Sequence, residues 1–428
     1  MSDGATAREI ERYFDRLWPI CRSLTGRGFR QSLDILGELV PWERHSFRTG
    51  ERVLDWEIPD EWNPRAAWFV DPRGVRHADF AEHNLHLLGY SIPFDGTLPL
   101  AELKEHCHSL PSLPDAIPYV TSYYQRRWGF CLPHRELESL PDGDYQVHVD
   151  TELAPGELVI GEAVLPGASE REILFSSYLC HPSLANNELS GPLVLSFLYR
   201  RLAQAPRRFT YRFVVVPETI GAIAFLSLRG EHLRRTLLAG YQLTCIGDGG
   251  AFTYKRSRDG ATIADRAALA VLGRRPGTRV FDFNPAVGSD ERQYCSPGFN
   301  LPVGSIMRTM YTLYPEYHTS LDDKRLMDFA GMAEATEAIA EVTRAIEENR
   351  LWRSLSPLGE PQLGRRGLFR SLSTRDREEE ELAMWWILNL ADGAHDLLAM
   401  CERGGLQPDA AARVAQRLAE AGLLEPVA

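Results

Sequence analysis

The 428-residue chain carries a formal net charge of −12 at pH 7, and 44% of its residues are hydrophobic and 25% charged. A single hydrophobic core rarely serves more than about 250–300 residues, so this length predicts two or three domains. The acidic balance argues against nucleic-acid binding as the main function, because such proteins depend on clustered lysine and arginine.

The cysteines give no sign of a disulfide framework. An odd number of cysteines without a CxxC pair favours reduced thiols. The charged N-terminal stretch does not resemble a signal peptide, and no apolar run reaches the roughly 20 residues that span a bilayer. We therefore expect a cytoplasmic protein without membrane association. The seven cysteines are Cys21, Cys107, Cys131, Cys180, Cys245, Cys295 and Cys401.

The first half of the chain predicts a divided domain. Apolar residues recur at helical spacing over residues 5–18 and 30–40, which predicts two amphipathic helices. Residues 56–153 differ in composition: they are rich in proline, aromatic residues and histidine, and they contain short strand-like pieces. We interpret them as an inserted small α+β or β domain. Residues 1–55 and 154–355 would then form the α/β core together.

Two features of the insert have open interpretations. His106 and His108 flank Cys107, and alternate residues of a strand face the same way, so the two imidazoles could converge on a metal. The simpler interpretation is polar side chains at a helix end. An aromatic cluster would form either the insert's own core or a cover over a neighbouring active site. Its members are Tyr123, Tyr124, Trp128 and Phe130.

Strand-like runs in the core each lead into a polar loop. Because helical patterns alternate with these runs, we expect a mostly parallel sheet, with its chemistry beyond the C-terminal ends of the strands. The loops bring His181, Glu218, Asp248 and His318, a nitrogen and oxygen set typical of catalytic zinc. Each residue alone also fits an ordinary structural role. The runs are residues 173–180, 209–216, 241–246 and 301–307.

The C-terminal region reads as a separate module. A linker rich in proline, glycine and serine follows residue 351, and residues 365–428 form the module, with helices predicted at 379–390, 393–402 and 408–421. Three short helices with a glycine turn resemble a helix-turn-helix or winged-helix module. Residues 376–428 contain 11 acidic and 4 basic residues. Such a field would repel phosphate, so we expect protein contact or domain packing and no nucleic-acid partner.

A series of motifs runs in order through roughly residues 155–350. They are His181, Asn186-Asn187-Glu188-Leu189-Ser190-Gly191, Glu218-Thr219-Ile220-Gly221, Asp248, Ser289-Asp290-Glu291, Gly298-Phe299-Asn300-Leu301-Pro302 and His318-Thr319. This order resembles the clan MH zinc aminopeptidases, whose relatives include glutaminyl cyclases. It is most similar to the aminopeptidase-like group with an inserted domain and a C-terminal winged helix. The resemblance implies a zinc exopeptidase-like fold with a mixed, mostly parallel sheet flanked by helices.

The resemblance also implies a ligand set, with two departures. The metal-bridging aspartate of the family falls at Asn187, and the second glutamate of its E-E pair falls at Thr219. A neutral amide bridges two cations poorly, so we expect one Zn²⁺ per chain. His181 and Asp248 would hold it, with His318 or the oxygen of Asn187 completing the set. Glu188 is an alternative to Asn187 if the loop shifts by one residue.

The function implied by the resemblance is a zinc-dependent aminopeptidase acting on short peptides or an aminoacyl amide. Glu218 occupies the position of the general base, and Glu188, Asp290 or Glu291 could bind the free α-amine of the substrate. The alternatives are a glutaminyl cyclase-like acyltransferase and a catalytically inactive peptidase fold with a regulatory or protein-binding role. A homo-oligomer stays open.

Overall fold

The computed structural model describes residues 3–368 and 375–427. Its strands are β1 (Glu43–Arg48), β2 (Arg52–Val53), β3 (Trp56–Glu57), β4 (Glu61–Val70), β5 (Arg76–His77), β6 (Phe94–Pro99), β7 (Cys107–His108), β8 (Phe130–Cys131), β9 (Asp144–Ala154), β10 (Glu157–Leu165), β11 (Ser169–Tyr178), β12 (Phe209–Val216), β13 (Leu237–Leu243), β14 (Thr253–Lys255), β15 (Arg279–Phe281), β16 (Val303–Met307), β17 (Leu351–Ser354), β18 (Asp392–Asp396) and β19 (Leu424–Pro426). Its helices are α1 (Asp3–Leu17), α2 (Arg27–Leu36), α3 (Leu100–Glu105), α4 (His134–Ser139), α5 (Ser190–Leu202), α6 (Ile220–Thr236), α7 (Ile263–Val271), α8 (Glu291–Tyr294), α9 (Phe329–Glu347), α10 (Arg375–Leu390), α11 (Leu397–Gly404) and α12 (Pro408–Glu420).

The core is built on an eight-stranded sheet in the order β1-β10-β12-β11-β13-β16-β14-β15. Strands β12, β11, β13 and β16 are parallel, whereas β10 and β14 run antiparallel to their neighbours β12 and β16. The predicted mixed, mostly parallel sheet is therefore confirmed. Because the four parallel strands end at one edge, the loops that follow them lie together.

Helices cover both faces of this sheet, which explains why its central strands are rich in apolar residues. On β12, Phe213 and Val215 pack in a core with α1, α2, α5, α7 and α9, and Val214 and Val216 pack in a second core with α6 and the insert. The observed β12 coincides with the predicted run 209–216. Strand β11 ends at Tyr178, so His181 follows it by three residues in a buried loop.

The insert has its own antiparallel sheet in the order β5-β4-β9-β6. Trp128 is 7% exposed and stacks on Phe94 and on His106, with ring centroids 4.3 Å and 3.8 Å apart. Phe130 is fully buried against Phe69. For Trp128 and Phe130 the core interpretation therefore holds. His106 is engaged by this stacking, and the candidate metal clusters among the described residues do not include it.

The C-terminal module combines α10, α11 and α12 with the small sheet β18-β17-β19, the arrangement of a winged helix. Strand β17 comes from the start of the predicted linker. The module is attached to the core by ion pairs: Arg266 contacts Asp396 at 2.5 Å and Arg344 contacts Asp409 at 2.9 Å. Asp409 lies in the first turn of α12, so this end of the helix packs on the core. Among the described residues, no helix combines the length and apolar character needed to cross a membrane.

Candidate active site

His181 lies at the centre of the edge where the parallel strands end. Its Nδ1 is 2.8 Å from Oε2 of Glu188, and its backbone N–H donates to Oε1 of Glu188 at 2.7 Å. A carboxylate on one ring nitrogen fixes the tautomer and orientation of an imidazole. The other nitrogen, Nε2, lies 3.6 Å from Oε2 of Glu218. Glu188 thus directs Nε2 of His181 toward Glu218.

Glu188 binds His181, whereas the sequence suggests a metal ligand or a group that binds the substrate amine. It lies in the π-helical turn Ala185–Leu189 that leads into α5, and it is fully buried. Both of its oxygens face His181, so it neither meets a substrate amine nor replaces Asn187 as a ligand. Burial lowers the pKa of His181, but the carboxylates of Glu188 and Glu218 outweigh this effect, and the pKa is raised above its ordinary value.

Glu218 follows β12 and has a side chain that is 26% exposed. Its Oε1 accepts a hydrogen bond from the Ser289 hydroxyl at 2.6 Å. Burial raises the pKa of Glu218, although His181 and Ser289 act against this shift. A carboxylate with a raised pKa is suited to accept and return a proton near neutral pH. The adjacent Thr219 has a φ of +64°, a strained conformation of the kind that clusters at functional sites.

Asp290 and Glu291 are both fully buried and support the loop that carries Ser289. Oδ1 of Asp290 accepts the N–H of Thr219 at 2.7 Å, and burial, with Glu218 nearby, raises the pKa of Asp290 well above its ordinary value. Glu291 accepts from Lys255 Nζ at 2.7 Å and from the N–H of Ser289. These contacts give Glu291 a structural place, whereas the buried Oδ2 of Asp290 has no hydrogen-bond partner among the described residues.

His318 faces His181 across the site. Their ring centroids are 5.3 Å apart, and the ring of His318 stacks on Tyr317 at 3.9 Å. Burial, together with His181, lowers the pKa of His318 to about 3, which keeps the imidazole neutral. Within the described part of the chain, its buried Nε2 has no hydrogen-bond partner. A neutral imidazole with a free ring nitrogen is in the state that binds a metal.

Asn187 contributes a second unpartnered atom. Its Nδ2 donates to the Tyr178 hydroxyl at 2.8 Å, whereas its buried Oδ1 has no hydrogen-bond partner among residues 3–368 and 375–427. Nε2 of His318 and Oδ1 of Asn187 are therefore left free by the described residues, and the ring of His318 lies 5.3 Å from that of His181 between centroids. Nitrogen and oxygen donors of this kind fit Zn²⁺.

Asp248, unlike His318 and Asn187, has hydrogen-bond partners on both of its side-chain oxygens. Its Oδ1 accepts from Gly250 N at 2.6 Å and from the Thr309 hydroxyl at 2.9 Å. Its Oδ2 accepts from Asn186 Nδ2 at 2.8 Å and from Thr309 N at 3.1 Å. Both oxygens are thus engaged within the protein. The geometry gives no support to the expected ligand pair of His181 and Asp248, because Asp248 ties three loops together instead.

A cluster of possible ligand atoms does form around His181, with Cys180 and Glu188. The sulfur of Cys180 lies 3.4 Å from Nδ1 of His181. Burial raises the pKa of this thiol well above its ordinary value, and the thiolate is the form that binds metals. Since Glu188 already takes the Nδ1 side of the ring, this cluster orients His181 and leaves the Nε2 side for a ligand.

Three residues of the site were not found from the sequence. Asp322 accepts the N–H groups of Asn186 and Asn187 at 2.6 and 2.9 Å and so holds the loop of Asn187 in place. Arg22, fully buried in the N-terminal region, donates to the carbonyl of His181 at 3.2 Å. Tyr119 of the insert places its ring against His181. Arg22 and Tyr119 are distant along the chain from His181, so no local pattern could have indicated them, whereas Asp322 lies four residues after His318 in the same loop.

Comparison with known protein families gives two matches along the chain. Residues 11–349 match a domain of unknown function, DUF4910, and residues 350–426 match a winged helix-turn-helix family. A Clostridium acetobutylicum protein named for polysaccharide biosynthesis and an aminopeptidase-like domain is 41% identical over 409 residues, which are 95% of this chain and 93% of that protein.

Solved structures show the same relationship. A crystal structure of a Clostridium acetobutylicum protein named as a peptidase has a TM-score of 0.93 and 40% identity, covering 99% of this chain and 97% of its own. A zinc aminopeptidase from Bacillus subtilis has a TM-score of 0.56 at 12% identity, over 80% of this chain and 95% of its own. An aminopeptidase from Aneurinibacillus sp. has a TM-score of 0.51 at 12% identity, over 79% and 93%. The core therefore has the zinc aminopeptidase fold.

Proposed function

The chain belongs to the DUF4910 family, and on that premise we propose that it is a zinc-dependent aminopeptidase that removes the N-terminal residue of a short peptide or hydrolyses an aminoacyl amide. The observation that carries the proposal is the approach of Glu218 Oε2 to His181 Nε2, at 3.6 Å. The ring of His318, whose Nε2 has no hydrogen-bond partner among the described residues, lies 5.3 Å from the ring of His181 between centroids.

The residues that would hold one Zn²⁺ are His181 and His318 through their Nε2 atoms and Asn187 through Oδ1. Bound zinc supplies a water of lowered pKa and polarises the substrate carbonyl. Asn187 and Thr219 stand where the related family has carboxylates, so the charge needed to hold a second cation is missing from these two positions. Glu188 and the buried loop around it keep His181 in the orientation that the ligand role requires.

Glu218 performs the proton transfers of the proposed reaction. Its Oε2 takes the proton of the attacking water and returns it to the leaving amine. The hydroxyl of Ser289 holds Oε1, so the carboxylate keeps one orientation through both transfers. Of the acidic residues considered for the substrate amine, Glu188 and Glu291 are buried and hydrogen-bonded through both oxygens. Asp290 is buried with Oδ1 bonded to Thr219 and Oδ2 without a partner among the described residues. Glu218 is the partly exposed carboxylate that a substrate can reach.

We propose a small peptide or aminoacyl substrate, a cytoplasmic location, and a winged helix that packs on protein and does not bind nucleic acid. The ion pairs of Asp396 and Asp409 with core arginines support the last point, because they use acidic groups of the module and one end of α12. The relative named for polysaccharide biosynthesis adds amides of carbohydrates to the substrates to be tested.

The experiment is a substrate panel with purified protein, with and without added zinc. The panel contains aminoacyl-anilides, peptides with N-terminal glutamine and N-acetylated amino sugars. We expect zinc-dependent release of aniline from the aminoacyl-anilides. Cyclisation of the glutamine peptides would instead favour an acyltransferase. No turnover of any substrate by protein that has bound zinc would favour an inactive scaffold.

A further inference from the structure

The loop between α1 and α2 reaches the candidate active site from the N-terminal end of the chain. It carries Arg22, which is fully buried and lies 159 residues before His181. Nη1 of Arg22 donates to the carbonyl of Leu17 at 2.7 Å, and Nε donates to the carbonyl of His181 at 3.2 Å. The guanidinium thus joins the C-terminal end of α1 to the residue at the centre of the site.

The loop is held closely on both sides of Arg22. A side chain at Gly28 of α2 would place its Cβ only 1.8 Å from the carbonyl oxygen of Cys21, so the helix and the loop are in backbone contact there. The Thr25 hydroxyl lies 2.7 Å from the hydroxyl of Tyr90 in the insert. Arg22 therefore projects from a backbone segment that is packed between α2 and the insert.

The guanidinium of Arg22 is buried without full pairing. Its Nη2 has no hydrogen-bond partner among residues 3–368 and 375–427, and its other contacts go to neutral carbonyls. Burial lowers the pKa of Arg22, and the carboxylate of Glu188 acts against this shift. Burying a cation that has no hydrogen-bonded carboxylate is costly, so this arginine is a poor stabiliser of the fold.

Arg22 and Glu188 hold the two backbone polar groups of His181. Glu188 accepts the backbone N–H at 2.7 Å and faces the ring Nδ1 at 2.8 Å, whereas Arg22 donates to the backbone carbonyl. Both side chains are fully buried. Because Glu188 fixes the ring and Arg22 fixes the carbonyl, the direction of Nε2 depends on both contacts.

We propose that Arg22 is a positioning residue of the zinc site, which holds the backbone of His181 so that Nε2 stays directed at the metal. This inference rests on the metal ligands of the proposed function and adds to them the N-terminal loop, residues 18–26. Loss of the guanidinium frees the carbonyl of His181. Zinc binding then weakens, because a ligand that is not held in place must lose conformational freedom when it binds.

A purely structural arginine would behave differently, and Arg212 of β12 is the matched control. Arg212 is 7% exposed, and its Nε and Nη2 each donate to Glu172 at 2.7 Å, while Nη1 contacts Glu162. No hydrogen bond or ion pair in the described part of the chain joins it to His181. Breaking a buried ion pair is strongly destabilising, so Arg212→Met should melt at a lower temperature and still bind zinc as wild type does.

The test measures the dissociation constant for Zn²⁺ by competition with a chelator of known affinity. We expect Zn²⁺ to bind Arg22→Met about 10–100-fold more weakly than wild type, the usual effect of losing a group that orients a ligand. Arg22→Lys keeps a cation and a donor, so its loss should be intermediate. Zinc-free Arg22→Met should lose less melting temperature in calorimetry than zinc-free Arg212→Met. An unchanged dissociation constant in Arg22→Met, or in Arg22→Lys if the first variant does not fold, would overturn the inference.

The absorption of bound Co²⁺ gives a second measurement that does not depend on turnover. The visible bands of Co²⁺ in the zinc site follow the geometry of its ligands. We expect these bands to differ between wild type and Arg22→Lys, and to match between wild type and Arg212→Met. Identical bands in all three proteins would contradict a positioning role for Arg22.

The same measurements separate this inference from the proposed function. Zinc binding by wild type without hydrolysis of any substrate, together with weaker binding by Arg22→Met, would support the inference and contradict the proposed function. Hydrolysis by wild type, together with equal zinc binding in Arg22→Met, would do the reverse. Wild-type protein that binds no Zn²⁺ would contradict both.

Discussion

The loops that follow the neighbouring parallel strands β11 and β13 both carry carboxylates and other polar side chains. They differ in whether the buried polar atoms around them have hydrogen-bond partners within the protein. After β13, both side-chain oxygens of Asp248 accept hydrogen bonds, from Gly250, Asn186 and Thr309. After β11, the site around His181 contains buried atoms without protein partners, on His318 and on Asn187. The first end is complete within the protein, and the second offers free atoms to the proposed Zn²⁺.

The difference matters because an unmet buried polar group costs roughly 1–3 kcal/mol. Residue type alone would rank Asp248 and His318 equally as metal ligands. Hydrogen-bond satisfaction separates them, since a carboxylate with four internal donors gains little from a cation. The comparison predicts that changes at the His181 end affect binding and chemistry, whereas changes at the Asp248 end affect stability.

The largest expected effect is the loss of metal from His181→Ala and His318→Ala. Removing one donor from a site with three protein ligands leaves too few to retain Zn²⁺ through dialysis. Elemental analysis of protein purified without chelator should find one zinc in wild type and almost none in either variant. Asp248→Asn is the control and should keep its zinc. Two zincs in wild type, or loss of zinc from Asp248→Asn, would break the comparison.

The next effect is on turnover alone. Glu218→Gln keeps the shape of the side chain but removes the proton acceptor, so kcat should fall about 10²–10⁴-fold, the usual contribution of a positioned acid–base. Zinc content and melting temperature should match wild type. Steady-state kinetics and elemental analysis on the same preparation check both points. If zinc is lost as well, Glu218 is a ligand and the assignment of the base is wrong.

Asp248→Asn should mainly reduce stability. The new amide group would point N–H donors at donors already supplied by Asn186 and Thr309, leaving buried groups unpaired. Hydrogen bonds to a charged acceptor contribute about 1.5–3 kcal/mol each, so the free energy of unfolding should fall by about 2–3 kcal/mol. Denaturant titration of zinc-free protein measures the change. An unaltered unfolding midpoint would mean that Asp248 is not the structural residue described above.

A smaller effect is expected where Glu61, at the start of the insert, pairs with Arg30 of α2 through two contacts of 2.6 and 2.9 Å. The hydrogen bonds from Arg30 lower the pKa of Glu61 to about 2, although burial acts against this. A lowered pKa stabilises the fold above the unfolded pKa, and this stabilisation is lost as the pH falls through about 2. Glu61→Gln should be about 1–2 kcal/mol less stable than wild type at pH 7, after allowance for solvent screening.

The pH dependence provides the control for this pair. Because protonated Glu61 and glutamine are both neutral, the difference in unfolding free energy between wild type and Glu61→Gln should shrink between about pH 4.5 and pH 2. Thermal unfolding at a series of pH values measures it. A difference that stays constant over this range would assign the loss to packing and not to charge.

Local patterns were sufficient to find the four parallel strands of the core. Strand β12 was predicted at its exact bounds because Phe209–Val216 is rich in apolar and β-branched residues, as is typical of a central parallel strand. The order of motifs from His181 to His318 was sufficient for the zinc aminopeptidase fold. Strand β17 was not predicted, because Leu351–Ser354 is stabilised by pairing with β18 and β19 and its own sequence resembles a linker.

The sequence by itself determined which residues follow the strand ends, because the alternation of apolar runs and polar loops is written in the chain. Only the tertiary structure decided which of them remain free to act. Glu188 binds the Nδ1 side of His181, and both side-chain oxygens of Asp248 accept hydrogen bonds within the protein. The ring of Tyr119, which lies about 60 residues before His181 in the chain, packs against the His181 ring. Hydrogen-bond partners and ring contacts depend on three-dimensional proximity between distant segments. Periodicity and spacing describe only neighbours along the chain.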